Sequence, residues 1–187
     1  MGNRGGALHN GRCEVVRQFT NRRWITCLLE FKGRRRLVMS PGLYTELFFL
    51  DEAVALAAGH RPCAECRRSR FNEFRSASLR SVGPVGGSLP SAPEMDTELH
   101  RTRIDTQGGK ITYEAPMDSL PDGCYVQIDG ANLLVWGQTL ILWAPEGYVE
   151  KRPRPRDATV TVLTPSVTVG CLRAGYRPEI HASALAL

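Results

Sequence analysis

Cys63 and Cys66 are the residues whose type and spacing point most directly to chemistry. Two intervening residues let both sulfurs turn toward one tetrahedral ion without strain. A redox dithiol is the competing use of the same spacing. That use wants a strand before the motif and a βαβ context, and Leu56-Ala57-Ala58-Gly59-His60-Arg61-Pro62 offers neither. The spacing therefore predicts a metal site, with zinc as the ion. The bland alternative is two unrelated reduced thiols. A second candidate is His100 with Arg103, three apart on an expected helix over Met95–Ile104 and so on one face. A histidine beside an arginine suits general acid–base work at a phosphate, and two surface polar residues are the plain alternative. His181, in Glu179-Ile180-His181, is the third candidate for catalysis.

The element that must present the two cysteines is a short helix. Asp51 is its expected N-cap, because a carboxylate can accept from the free backbone N–H groups of a first turn. Glu52 to Ala58 is Ala-rich and helix-favouring. Gly59 stands where a left-handed C-terminal cap belongs, and Pro62 stops any continuation. Leu172-Arg173-Ala174-Gly175-Tyr176-Arg177-Pro178 repeats the same ending near the C-terminus. There Thr164 is the expected cap and Pro165 the first helical position. The flanking sequences differ, so the echo reads as one way of ending a helix used twice.

The stretch Phe48-Phe49 and Ala57-Ala58-Gly59-His60-Arg61-Pro62-Cys63-Ala64-Glu65-Cys66 resembles the zinc-binding N-terminal domain of the Ada-type DNA-repair methyltransferases. The resemblance covers roughly residues 24–70. It implies four zinc-bound sulfurs, one of which accepts a methyl group from a DNA phosphotriester. It carries zinc ligation onto Cys63 and Cys66, and onto Cys27 in Trp24-Ile25-Thr26-Cys27. The family's first pair of cysteines is here reduced to Cys27, and His60 stands where the family has an aromatic. The fourth ligand is then open among His9, Cys13 and His60, with His9 slightly preferred because neutral imidazole is a common zinc ligand. Met1–Gly6 and Leu163–Pro178 also resemble a group of small bacterial proteins, which adds no chemistry.

The charge is uneven. Residues 1–80 hold 15 Lys and Arg against 7 Asp and Glu, and the rest of the chain is net acidic. Arginine supplies nearly all of this charge, and its fork matches phosphate oxygens. Nucleic acid, DNA first, is therefore the expected partner, through Arg4, Arg34, Arg35, Arg36, Arg61, Arg67 and Arg68. A solvated basic face without a partner is the alternative. No apolar run approaches a membrane span, and the glycine-rich start lacks the apolar core of a signal peptide. A cytoplasmic location follows, where six cysteines read as thiols or metal ligands and not as disulfides.

The expected fold class is α+β. Residues 1–80 form a zinc-stabilised Ada-like unit with a hairpin over residues 22–39 turning at Lys32-Gly33, and with no regular element in residues 1–12. Phe71 and Phe74 share one helical face and belong to the core. Residues 81–95 are a loop or linker. Residues 96–187 are a small antiparallel β unit, with turns at Asp129-Gly130 and Gly137-Gln138, a core holding Trp136 and Trp143, and a C-terminal helix. The expected function is a zinc protein that binds nucleic acid through its arginine-rich half. The alternatives are an enzyme acting on nucleic acid, by phosphodiester cleavage or methyl acceptance, and a protein-interaction module.

Overall fold

The structure is a computed structural model and describes residues 1–33, 37–82 and 88–187. It is α+β. The first helix, α1 (Glu52–Ala57), begins where Asp51 accepts a hydrogen bond from the Val54 N–H at 2.9 Å. It ends in a Schellman motif: the Gly59 N–H reaches Leu56 O and the His60 N–H reaches Ala55 O, both at 2.9 Å. Gly59 lies at φ +80°. The C-terminal echo closes in the same way, with Gly175 at φ +99° and the N–H groups of Gly175 and Tyr176 bonded to Leu172 O and Cys171 O. Thr164 does not cap that helix, α4 (Ser166–Arg173), as expected from the sequence. Its hydroxyl accepts from the Tyr125 N–H at 2.8 Å, tying the helix start to the sheet.

These two glycines predict a measurable contrast. A Cβ on Gly59 would meet Arg103 Cδ at 2.7 Å, whereas one on Gly175 would meet nothing within 4 Å. Gly175→Ala should cost only the left-handed strain, about 1–2 kcal/mol. Gly59→Ala should cost about 1 kcal/mol more, because a buried guanidinium stem must also move. Urea unfolding of both variants checks the order, and equal costs would contradict it.

Three two-residue strands organise the N-terminal part. β1 (Gly2–Asn3) pairs antiparallel with β2 (Ile25–Thr26), which pairs parallel with β3 (Arg61–Pro62). This corrects three expectations, one being that no strand precedes Cys63, since β3 ends directly before it. Residues 1–12 do contain a strand, and the return half of a 22–39 hairpin is absent among the described residues. Lys32 and Gly33 do turn, at φ +53° and +65°, but β2 finds its partners far away in sequence. The physical reason is burial: Leu28 and Leu29 are exposed, so a hairpin there would cover no apolar face.

Two longer helices follow, α2 (Arg68–Ser81) and α3 (Ala92–Arg103). The second starts earlier than expected, because Ser91 and Glu94 form a reciprocal capping box and Pro93 suits the first turn. Six strands form one antiparallel sheet: β4 (Tyr113–Pro116), β5 (Tyr125–Ile128), β6 (Ala131–Trp136), β7 (Thr139–Ala144), β8 (Gly147–Pro153) and β9 (Thr159–Val162), in the order β4-β9-β5-β6-β7-β8. A last short helix, α5, spans Ser183–Ala186. Among the described residues no helix is long and apolar enough to cross a membrane.

Both faces of the central strands are covered. Val126, Leu133, Val135 and Leu140 pack with Phe71, Phe74, Leu99 and Leu172 of α2, α3 and α4. Tyr125, Leu134 and Ile141 pack on the other face with Ala53 of α1 and Ala184 of α5. This explains the unbroken apolar run Leu133-Leu134-Val135, since a strand buried on both sides has no polar face to alternate with. Trp136 and Trp143 sit half-buried at the margin of the second cluster. The main cluster draws on residues from either side of the 81–95 connection. A clamp reinforces it: buried Glu52 accepts from Tyr176 Oη (2.7 Å), Arg70 Nη2 (2.6 Å) and the Glu179 N–H (2.9 Å).

Candidate metal centre

The parallel register of β2 and β3 brings Cys27 to the Cys-x-x-Cys knuckle. The Cys63 N–H donates to Thr26 O at 2.9 Å and the Arg61 N–H to Trp24 O at 3.1 Å. The sulfurs of Cys27, Cys63 and Cys66 then lie within 4.8 Å of one another, close enough to hold a metal ion. A tetrahedral zinc with bonds of about 2.3 Å sets its sulfurs about 3.8 Å apart, so binding needs at most a small contraction. Backbone N–H groups already face two of the sulfurs: Glu65 donates to Cys63 Sγ and Leu28 to Cys66 Sγ, each at 3.4 Å. Such donors favour the thiolate over the thiol. The hydrogen bond from Cys27, aided by the backbone N–H groups of Cys66 and Glu65, lowers the Cys63 thiol to about 5 against the opposing effect of burial. The bond to Cys63 and burial push Cys27 far up, and burial raises Cys66. The cluster thus favours a thiolate at Cys63 over one at Cys27 or Cys66, and a bound metal ion would favour the thiolate form of all three.

No fourth His, Cys, Asp or Glu joins this group among the described residues. His9 is instead buried with its Nδ1 2.6 Å from Thr45 Oγ1. Cys13 is exposed and outside the group. His60 is packed between aromatic rings, its centroid 4.7 Å from Phe49 and 5.4 Å from Trp24. The group instead borders a cavity of about 340 Å³ that also touches Tyr44, Glu46 and Phe48. The remaining two cysteines, Cys124 and Cys171, are core residues whose thiols burial pushes up to about 12.

His60 carries a pH dependence. Burial, then Arg4 and Arg103, holds its pKa well below the ordinary 6.5. The unfolded chain takes up a proton near 6.5 that the folded chain refuses, so stability is full above that pH and falls below it. The slope is about 1.4 kcal/mol per pH unit until the folded pKa is reached. Urea unfolding between pH 5 and 6.5 should show this loss, and His60→Phe should flatten it. An unchanged slope in the variant would count against a buried neutral imidazole.

Of the three residues expected to be catalytic, Arg103 and His100 lie together and His181 stands apart from them at the surface. Arg103 is fully buried and donates to Gly59 O (2.7 Å), Arg22 O (2.6 Å) and His100 Nδ1 (3.2 Å). The His100 ring packs edge-on against Phe19 and Trp24. Burial, with Arg103 and Arg22 beside it, lowers its pKa. His181 is exposed, bonded to Ser183 Oγ and, through its N–H, to Asp51. No hydrogen bond joins it to the His100–Arg103 pair.

Of the four expected phosphate-binding arginines among the described residues, three have partners within the fold. Arg61 forms a two-pronged ion pair with Asp96, at 2.7 and 2.8 Å. Arg67 reaches Glu179 at 2.5 Å and Glu52 at 3.4 Å. The Arg4 guanidinium lies 4.0 Å from the Trp24 ring centroid and donates to His60 Nε2. Arg68 stands exposed. Arg34, Arg35 and Arg36 lie outside the described residues. Glu52, Asp96 and Trp24, which hold these groups, carried no functional signal in the sequence, because their partners lie far along the chain. Comparison of this chain with protein-family models, with curated proteins and with solved structures gave no match.

Proposed function

We propose that this is a zinc protein whose Cys27–Cys63–Cys66 centre holds the ion through three thiolates, with its fourth position turned to the adjoining cavity. The carrying observation is the convergence of three sulfurs from two separate segments within 4.8 Å. Soft thiolates select zinc, copper(I) or iron–sulfur clusters, and clusters take four cysteine ligands as a rule, which favours zinc. Three protein ligands differ from the closed set of four implied by the Ada-type resemblance. They match the count at which zinc sites keep a place for water or another ligand. The Ada-type relation stays within this proposal, with Cys27 in place of the family's first pair. The nucleic-acid partner expected from the charge of residues 1–80 draws no support from Arg4, Arg61 or Arg67, and rests on Arg68 and on Arg34–Arg36.

Elemental analysis of protein purified without chelators tests the reading. One zinc per chain is expected. Cys63→Ser and Cys66→Ser should each abolish it, Cys27→Ser should bring it below stoichiometry, and His9→Ala and Cys13→Ser should leave it unchanged. Metal-free wild type, or full zinc in Cys27→Ser, would overturn it.

A further inference from the structure

A second cavity, of about 290 Å³, opens between α1, the end of α3 and the sheet face carrying Tyr125 and Trp143. Its walls are largely apolar, with Trp24, Val54, Leu163 and Trp143 among them. Three cationic residues, Arg4, Arg103 and Lys110, also line it, and no Asp or Glu does. Their hydrogen bonds go to neutral groups. Arg103 reaches the carbonyls of Gly59 and Arg22 and the ring of His100. The Lys110 ammonium reaches Ala57 O at 2.7 Å. Arg4 reaches His60 Nε2 and Gln18 O, both at 3.4 Å. Among the described residues none of the three makes an ion pair. Two further donors on lining residues, Arg103 Nε and Trp143 Nε1, are buried without an acceptor.

Asp96 counteracts this charge at Arg103 but is itself paired with Arg61, and gathering the remaining positive charge against apolar walls is costly. The cost is visible in all three cations. Burial lowers Arg4 to about 10, Arg103 to about 9 and Lys110 to about 8, and the Arg4 charge pushes down the other two further. The remedy is an occupant that brings negative charge to the cations and apolar surface to the walls. From this juxtaposition we infer that the cavity is a binding site for a compact organic anion, a carboxylate or phosphate monoester carried on a flat apolar body. The flat body lies against Trp143, Val54 and Leu163, since the Trp24 ring is already covered by the Arg4 and Arg103 guanidiniums, and the acid group takes the free donors of Lys110 and Arg4. The cavity is near the lower bound for small-molecule sites, which limits the body to about one ring. The inference does not depend on the metal centre.

Titration of the intrinsic tryptophan fluorescence tests it, with phenylacetate, phenyl phosphate and the neutral benzyl alcohol as probes. Saturable binding of at least one anion, tenfold or more tighter than benzyl alcohol and weakened by salt, is expected. The preferred anion tells carboxylate from phosphate. Lys110→Gln should weaken that anion at least fivefold with unchanged unfolding temperature, because the side chain is on the rim and its only bond is to one carbonyl. Arg4→Gln should also weaken it at least fivefold, with some loss of stability because Arg4 also packs on Trp24 and bonds to His60 and Gln18 O. Neutral and anionic probes binding alike, no saturation by either anion at millimolar concentration, or no effect of both substitutions would overturn the inference.

Discussion

Removal of the proposed zinc by a chelator at neutral pH should lower the unfolding temperature by about 6–16 °C and loosen the N-terminal part first. An ion that binds only the folded state stabilises it by about 3–4 kcal/mol at free concentrations two to three decades above its dissociation constant. For a chain of this size each kcal/mol is worth about 2–4 °C. The loss should be local because the elements joined at the centre have little else. β1, β2 and β3 are two residues long each. Leu28, Leu29, Val38, Leu43 and Phe48 nearby are exposed and contribute only partial burial. The six-stranded sheet, buried on both faces, should keep its protection. Thermal unfolding with and without chelator, with hydrogen exchange resolved by segment, makes the check. An unchanged unfolding temperature in protein shown to have lost its metal would remove the stabilising role.

Asp96→Asn should destabilise the fold by about 3 kcal/mol, and Arg61→Met/Asp96→Leu together should recover most of that loss. Both side chains of the pair are only 4% exposed. Two charges removed from water depend on each other, so neutralising one strands its partner at a cost of about 3–5 kcal/mol. The lower end applies here because the amide oxygen of Asn can still accept one of the two bonds, and because Arg61 also donates to Pro62 O at 3.1 Å and lies over the Phe71 ring. Replacing the whole pair with apolar groups of similar volume removes the desolvation cost along with the attraction. The pair connects β3, one residue before Cys63, to α3. The single variant should therefore weaken the proposed zinc site as well as folding. Urea unfolding of the single and double variants decides it, and a loss below about 1 kcal/mol for Asp96→Asn would show that water reaches Arg61.

The sequence alone determined the features whose partners lie within a few residues. The Asp51 cap, the Schellman ending at Gly59 and its twin at Gly175, the paired cysteines of the knuckle and the Asp129-Gly130 turn of β5 and β6 are all of this kind. Each is a contest between a backbone conformation and one or two neighbouring side chains, so residue type and spacing settle it. Tertiary structure decided which distant groups those elements meet. Lys32-Gly33 turns as expected, yet the strand before it pairs with β3 instead of folding into a hairpin, and that pairing delivers Cys27 to the knuckle. Arg61 and Arg67 carry the signature of phosphate binders, but Asp96 and Glu52, buried by the packing of α1 and α3, claim them first. The cationic cavity is the clearest case. Arg4, Arg103 and Lys110 stand far apart in the chain and line one cavity only because the packing of α1 and the end of α3 against the sheet brings them there.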